Sequence, residues 1–88
     1  MVDSSRWENA ATEPILQLLD ESDLALSHTA IVYNLSKRMQ RPPSKATVTR
    51  ALKELRKRSL VHQPHGTLYE ITEDGREYLE DDAEKLEE

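Results

Sequence analysis

Eighty-eight residues allow one small domain and no second hydrophobic core. The chain has no cysteine, which excludes a disulfide frame and a thiolate metal site, and no run approaches the about 18 apolar residues of a membrane span. A net charge of −5 disfavours polyanionic partners on average, but the charge is unevenly spread. Residues 37–58 hold nine cations against one anion, Glu54, while the rest of the chain holds three cations against sixteen anions. Such a map gives one face that attracts polyanions and flanks that repel them. The opening MVDSSRWENA has neither the cationic start nor the apolar middle of a signal peptide, so the chain reads as cytoplasmic.

In chain order, residues 1–11 lack periodicity and read as a flexible N-terminal arm anchored only by Trp7. Thr12 is expected to cap a first helix, with Pro14 in a first turn where its missing N–H costs nothing. Ile15, Leu16, Leu18 and Leu19 build one apolar stripe that ends near Asp20-Glu21. Leu24-Ala25-Leu26 suggests a short extended piece at the edge of a small sheet. Ser27 then caps a second helix, with Ile31 and Leu35 inward and Val32 and Met39 beside them. Pro42-Pro43 cannot continue a helix and holds the preceding residues extended. Ser44 caps a third helix directly afterwards, running to about Arg58. Two short capped helices joined by a tight turn are the sequence signature of a helix-turn-helix.

On the third helix Val48, Leu52 and Leu55 must face a core, and at about 100° per residue the opposite side carries Ala46, Thr49, Arg50, Lys53 and Lys57. Small residues near the start and cations further along suit insertion into a DNA major groove. Leu60–Gln63 and Leu68–Thr72 read as two strands joined by a tight turn over Pro64-His65-Gly66-Thr67, with Tyr69 and Ile71 on one face. Thr72 is expected to cap a last helix, which Gly75 weakens and whose surface is acidic. The fold class is therefore mainly α with a small β-hairpin, an α+β chain with a three-helix core, a hairpin and a C-terminal helix. The packed domain spans 12–80, followed by an acidic tail or helix end over 81–88.

The segment Ser44-Lys45-Ala46-Thr47-Val48-Thr49-Arg50-Ala51-Leu52-Lys53-Glu54-Leu55 resembles the recognition helix of winged helix-turn-helix repressors. Arg56-Lys57-Arg58-Ser59-Leu60-Val61, the hairpin and the Tyr69-x-Ile71-Thr72-x-x-Gly75 ending continue the likeness over nearly the whole chain. Within that family the chain is similar to the small haloarchaeal group typified by the halophage phi-H repressor, which Trp7, Ala25-Leu26, Ile31, Asn34 and Tyr78-Leu79 also fit. The resemblance implies an archaeal transcriptional repressor whose hairpin is a wing. Two departures stand out. Ser59 occupies the helix end where the family has Gly, and the hairpin tip offers His65 and Thr67 in place of Lys or Arg.

For DNA, Arg50 is the expected base reader or phosphate contact, since its planar fork grips guanine bidentately. Lys45, Lys53 and Lys57 are expected on phosphates, Ser44 and Thr47 as cap and helix-start residues that also reach phosphate, and Thr49 against a thymine methyl. Ala46 leaves room for the groove, and His65 and Thr67 complete the expected contact set. An enzyme is not expected, because no nucleophile sits in a Gly-flanked elbow and Gly66 and Gly75 are the only glycines. His62 and His65 make an H-x-x-H pair without two further zinc ligands, so neither metal nor other cofactor is expected, and no effector site is evident. The alternative function is a protein-interaction module docking an acidic partner on the basic stripe. A homodimer on a near-palindromic site is expected, with Leu79, Ala83 and Leu86 as an apolar seam and Trp7 as a second contact.

Overall fold

The computed structural model describes residues 7–87, with side chains as far as residue 81. Its elements are α1 (Thr12–Ser22), β1 (Leu26–Ser27), α2 (His28–Arg38), α3 (Lys45–Lys57), β2 (Val61–His65), β3 (Leu68–Ile71) and α4 (Glu73–Glu87). Four helices and a three-stranded antiparallel sheet of order β1-β3-β2 make an α+β architecture. The core draws on every helix stripe foreseen from apolar spacing: Ile15, Leu16, Leu18 and Leu19 of α1, Ile31 and Leu35 of α2, and Val48, Leu52 and Leu55 of α3. Leu60, Val61 and Ile71 close it from the hairpin side, and Tyr78 and Leu79 of α4 pack against it.

The start of the domain differs from the expectation in two ways. Thr12 is not the cap of α1; Ala11 holds that position, and Thr12 is the first helical residue, buried. No side chain caps α1; instead Asn9 forms a turn ahead of it, its Oδ1 accepting from the Ala11 N–H at 2.8 Å while the Asn9 N–H donates to Thr12 Oγ1 at 2.9 Å. An Asn side chain folding onto its own following backbone is a turn device that apolar periodicity does not reveal. Nor is the chain a loose arm up to residue 11. From Trp7 onward it is packed: the Trp7 ring lies 5.8 Å from the Tyr78 ring, the Arg58 guanidinium sits 4.3 Å above it, and Ala11 is fully buried. The remainder of the expected arm, residues 1–6, lies outside the described residues.

The caps of the next two helices follow the expected pattern. Ser27 Oγ accepts from the Ala30 N–H at 3.1 Å, and Ser44 Oγ accepts from the Thr47 N–H at 3.1 Å. Between them the backbone turns extended at Met39, three residues ahead of Pro42. The hairpin turn is tighter than expected, with only Gly66-Thr67 outside the strands and Gly66 at φ +56°. Pro64 falls inside β2 rather than in the turn. It is tolerated there because β2 is an edge strand and the register slips between His62↔Glu70 and His65↔Leu68, leaving a bulge opposite Tyr69.

The end of α3 and the start of α4 interlock. Ser59 takes the left-handed conformation at φ +62°, its N–H donates to Arg56 O, and Leu60 N–H donates back to Leu55 O at 2.9 Å. These are the paired bonds of a Schellman cap, formed here with Ser in the position that favours Gly. Thr72 then donates its hydroxyl to Ser59 O at 2.7 Å and accepts from the Gly75 N–H at 3.0 Å, capping α4 as expected. Gly75 has a role its sequence position hid. A Cβ there would stand 2.6 Å from Ile71 Cγ1 and closer still to the Leu60 carbonyl oxygen. Arg76 completes the docking of α4, donating to Asp20 at 2.6 Å and Asp23 at 3.0 Å at the end of α1. The Asp23 bond, with Asp20 beside it, raises the Arg76 pKa above its ordinary value.

Two substitutions of opposite sign test this junction. Ser59→Gly should raise stability by about 1 kcal/mol by relieving the left-handed conformation. Gly75→Ala should lower it by about 1–3 kcal/mol despite the better helix propensity of Ala, because backbone must move to admit the methyl group. Urea unfolding of both variants reads the signs directly, and a stabilised Gly75→Ala would contradict the packing described.

Candidate nucleic-acid interface

α3 presents two opposed faces because Val48, Ala51, Leu52 and Leu55 are all buried. The rest of its circumference carries Lys45, Ala46, Thr49, Arg50, Lys53, Arg56 and Lys57, all exposed. None of the cations in that set forms an ion pair with a described carboxylate. The described carboxylates that pair with Lys or Arg are engaged elsewhere: Glu21 with Arg38, Glu54 with Arg58, and Asp20 and Asp23 with Arg76. The result is a solvent-facing cationic strip on a net-acidic chain.

Expected hydroxyl ligands are partly committed to holding the helix. Ser44 Oγ caps α3 and lies 3.0 Å from Thr47 Oγ1, and Thr47 is half-buried with its carbonyl accepting from Asn9 Nδ2 at 3.1 Å. Thr49 Oγ1 donates to the Lys45 carbonyl at 2.9 Å and meets His28 Nε2 at 3.0 Å. Since the single hydroxyl proton goes to Lys45, His28 supplies the proton of the second bond. The Thr49 hydroxyl is thereby committed to contacts within the chain.

The strip is flanked by grooves. Toward the N-terminal segment, Arg50, Lys53, Glu54 and Lys57 share a groove with Trp7 and Asn9. Toward the sheet, Thr49, Lys53, Arg56 and Lys57 share one with Tyr69. Near the start of α3, Lys45 borders a third with His28, Thr29, Val32, Tyr33 and Ser36 of α2. The expected residues Ser44, Lys45, Ala46, Thr47, Thr49, Arg50, Lys53 and Lys57 thus lie along one helix. His65 and Thr67 do not line these grooves; they flank Gly66 at the exposed hairpin tip, where His62 pairs with Glu70 across the strands at 2.8 Å. Among the described residues, no group of three or more His, Asp or Glu side chains is placed to hold a metal ion. No described helix is long and apolar enough to cross a membrane.

Four neighbours of the strip were not among the expected site residues. Arg56 was legible, since it falls about 20° from Thr49 on the helical wheel. His28, Asn9 and Tyr69 come from other elements, and only the packing brings them to α3. Comparison with protein-family models, with curated proteins and with solved structures returns no match.

Crowded like charges leave a measurable trace. Lys53 has Arg50 three residues before it, Arg56 three after and Lys57 four after, and each such pair in a helix costs about 0.2–0.5 kcal/mol. Lys53→Gln should therefore raise the melting temperature at low salt, with the gain vanishing as salt screens the strip. A variant less stable than the parent at low salt would mean that Lys53 serves the fold.

Proposed function

We propose that this chain is a winged helix-turn-helix domain that binds duplex DNA as a transcriptional repressor, with α3 in the major groove and the β2–β3 hairpin as its wing. The observation that carries the reading is the strip of Lys45, Arg50, Lys53, Arg56 and Lys57, none paired with a described carboxylate, along a helix whose other face is fixed in the core. Like charges gathered on one helix oppose folding, and a polyanion is the partner that relieves them. The strip is about 18 Å long at 1.5 Å per residue, short enough for one groove passage. The reading is of a cytoplasmic binding protein, not an enzyme. Its sequence choice falls to Arg50 and the Thr49 methyl, and its affinity to the lysines, with His65 and Thr67 at the wing tip as minor contacts.

Selection of bound duplexes from a random pool tests sequence preference, and an enriched motif is the expected outcome. Against that motif, Arg50→Ala should cost about 1–3 kcal/mol and relax one base pair, whereas Lys57→Ala should weaken all sequences alike. Unchanged duplex binding when Lys45, Arg50, Lys53 and Lys57 are all Ala would overturn the proposal.

The same reading takes the working form as a homodimer, since one helix reads few base pairs and a two-fold pair doubles the site. Two of the expected contacts are engaged within their own chain, Trp7 on Tyr78 and Leu79 on the core. The seam is thereby reduced to the far end of α4, where the side chains of Ala83 and Leu86 lie outside the described residues. Sedimentation should show a dimer that strengthens with salt and becomes a monomer when the chain stops at Asp81. A dimer that survives this truncation would place the interface elsewhere.

A further inference from the structure

The sheet-side groove beside α3 has a composition of its own. Lys53, Arg56 and Lys57 contribute three cations to it, Thr49 and Tyr69 complete its lining, and no described carboxylate lines it. Tyr69 is the central-strand residue of the sheet at this point, paired with Leu26 on one side and facing the bulge of β2 on the other. Two residues of β2, Gln63 and Pro64, span the register slip opposite it. A bulge bends its strand and re-aims the side chains around it, and such features gather beside functional sites. The Tyr69 stem packs against the core while the residue stays half-buried. Tyr69 lines the groove, and its hydroxyl bonds to no described group.

We infer that Arg56 and Tyr69 form a clamp for the sugar-phosphate backbone of one DNA strand, the strand that borders the major groove on the sheet side. The inference rests on the DNA-binding reading above and adds a contact that the wing tip does not supply. Lys53 and Lys57 form the ridge between the sheet-side groove and the groove toward Trp7. With that ridge in the major groove, a bordering strand runs along the sheet side. There the Arg56 guanidinium meets a phosphate with two parallel donors and the Tyr69 hydroxyl donates a third hydrogen bond. No described carboxylate lines the groove, so an acidic polymer meets no repulsion from its described walls. Because the contact is to phosphate, it orients the helix and carries no sequence choice.

Titration of a short mixed-sequence duplex at a series of salt concentrations tests this, using the full chain, Arg56→Gln, Tyr69→Phe and Lys53→Gln. Arg56→Gln should reduce the slope of log affinity against log salt by about 1. Tyr69→Phe should leave the slope unchanged and weaken binding by about tenfold or more at every salt, the equivalent of one hydrogen bond to a charged group. Melting curves of neither variant should fall below the parent's, since Arg56 is exposed among like charges and Phe keeps the packed ring. Parental affinity and slope in both variants, alongside weakened binding by Lys53→Gln, would overturn the clamp while leaving α3 as the DNA-binding element. An effect of either variant confined to one duplex sequence would reassign that residue to base reading. Failure of the parent to bind any duplex would overturn the clamp and the DNA-binding reading together.

Discussion

Four segments of the chain meet at Ser59 and Leu60, and the geometry of α3 depends on how that meeting is made. The Leu60 N–H closes the end of α3 on Leu55 O, while the Leu60 carbonyl accepts from the Thr72 N–H at 3.1 Å where β3 gives way to α4. Thr72 binds the Ser59 carbonyl with the same hydroxyl that caps α4. Gly75 lets the first turn of α4 sit directly on this peptide. Helix end, hairpin base and last helix are therefore one hydrogen-bonded unit, and none of them can shift without the others.

That unit fixes one end of α3, and residues 7–9 brace its flank. Asn9 donates to the Thr47 carbonyl in the first turn, and Trp7 receives the Arg58 guanidinium beyond the last. Arg58 is thereby withdrawn from the solvent-facing strip and shared between an aromatic face and Glu54 at 3.5 Å. A cation over an indole ring contributes about 0.5–2 kcal/mol depending on desolvation, and here it also joins α3 to the Trp7–Tyr78 contact with α4. Held from both ends and buried along one side, α3 is a rigid carrier for its exposed cations. Rigidity of this kind is what a groove-reading element requires, because base contacts depend on sub-ångström placement.

Charge is partitioned by the same packing. The carboxylates at the end of α1 are tied to Arg38 and Arg76, away from the strip, and α4 carries further acidic residues. The strip keeps its field because no described carboxylate neutralises the cations of its exposed face. The acidic remainder disfavours docking of a polyanion on any other surface.

Local chemistry made much of this legible in the sequence. Apolar spacing identified the core faces of α1, α2 and α3, Ser27, Ser44 and Thr72 announced three helix starts, and Pro42-Pro43 separated α2 from α3. Each signal acts within one or two helical turns, so it needs no knowledge of the rest of the chain. Ser59 stood out at the helix end only through the family resemblance, and it takes the left-handed conformation. The cationic face of α3 followed from its period for Arg50, Lys53 and Lys57, and the same period places Arg56, which was not among the expected residues, beside Thr49. Other features were decided only by tertiary structure. Trp7 as a packed residue, Asn9 as a brace of α3, Gly75 as a close-packing site and Tyr69 as a wall of the cationic groove all rest on partners far away in the chain. Such contacts depend on which surfaces the folded core brings face to face, and a one-dimensional pattern carries no distance between segments that meet only after folding.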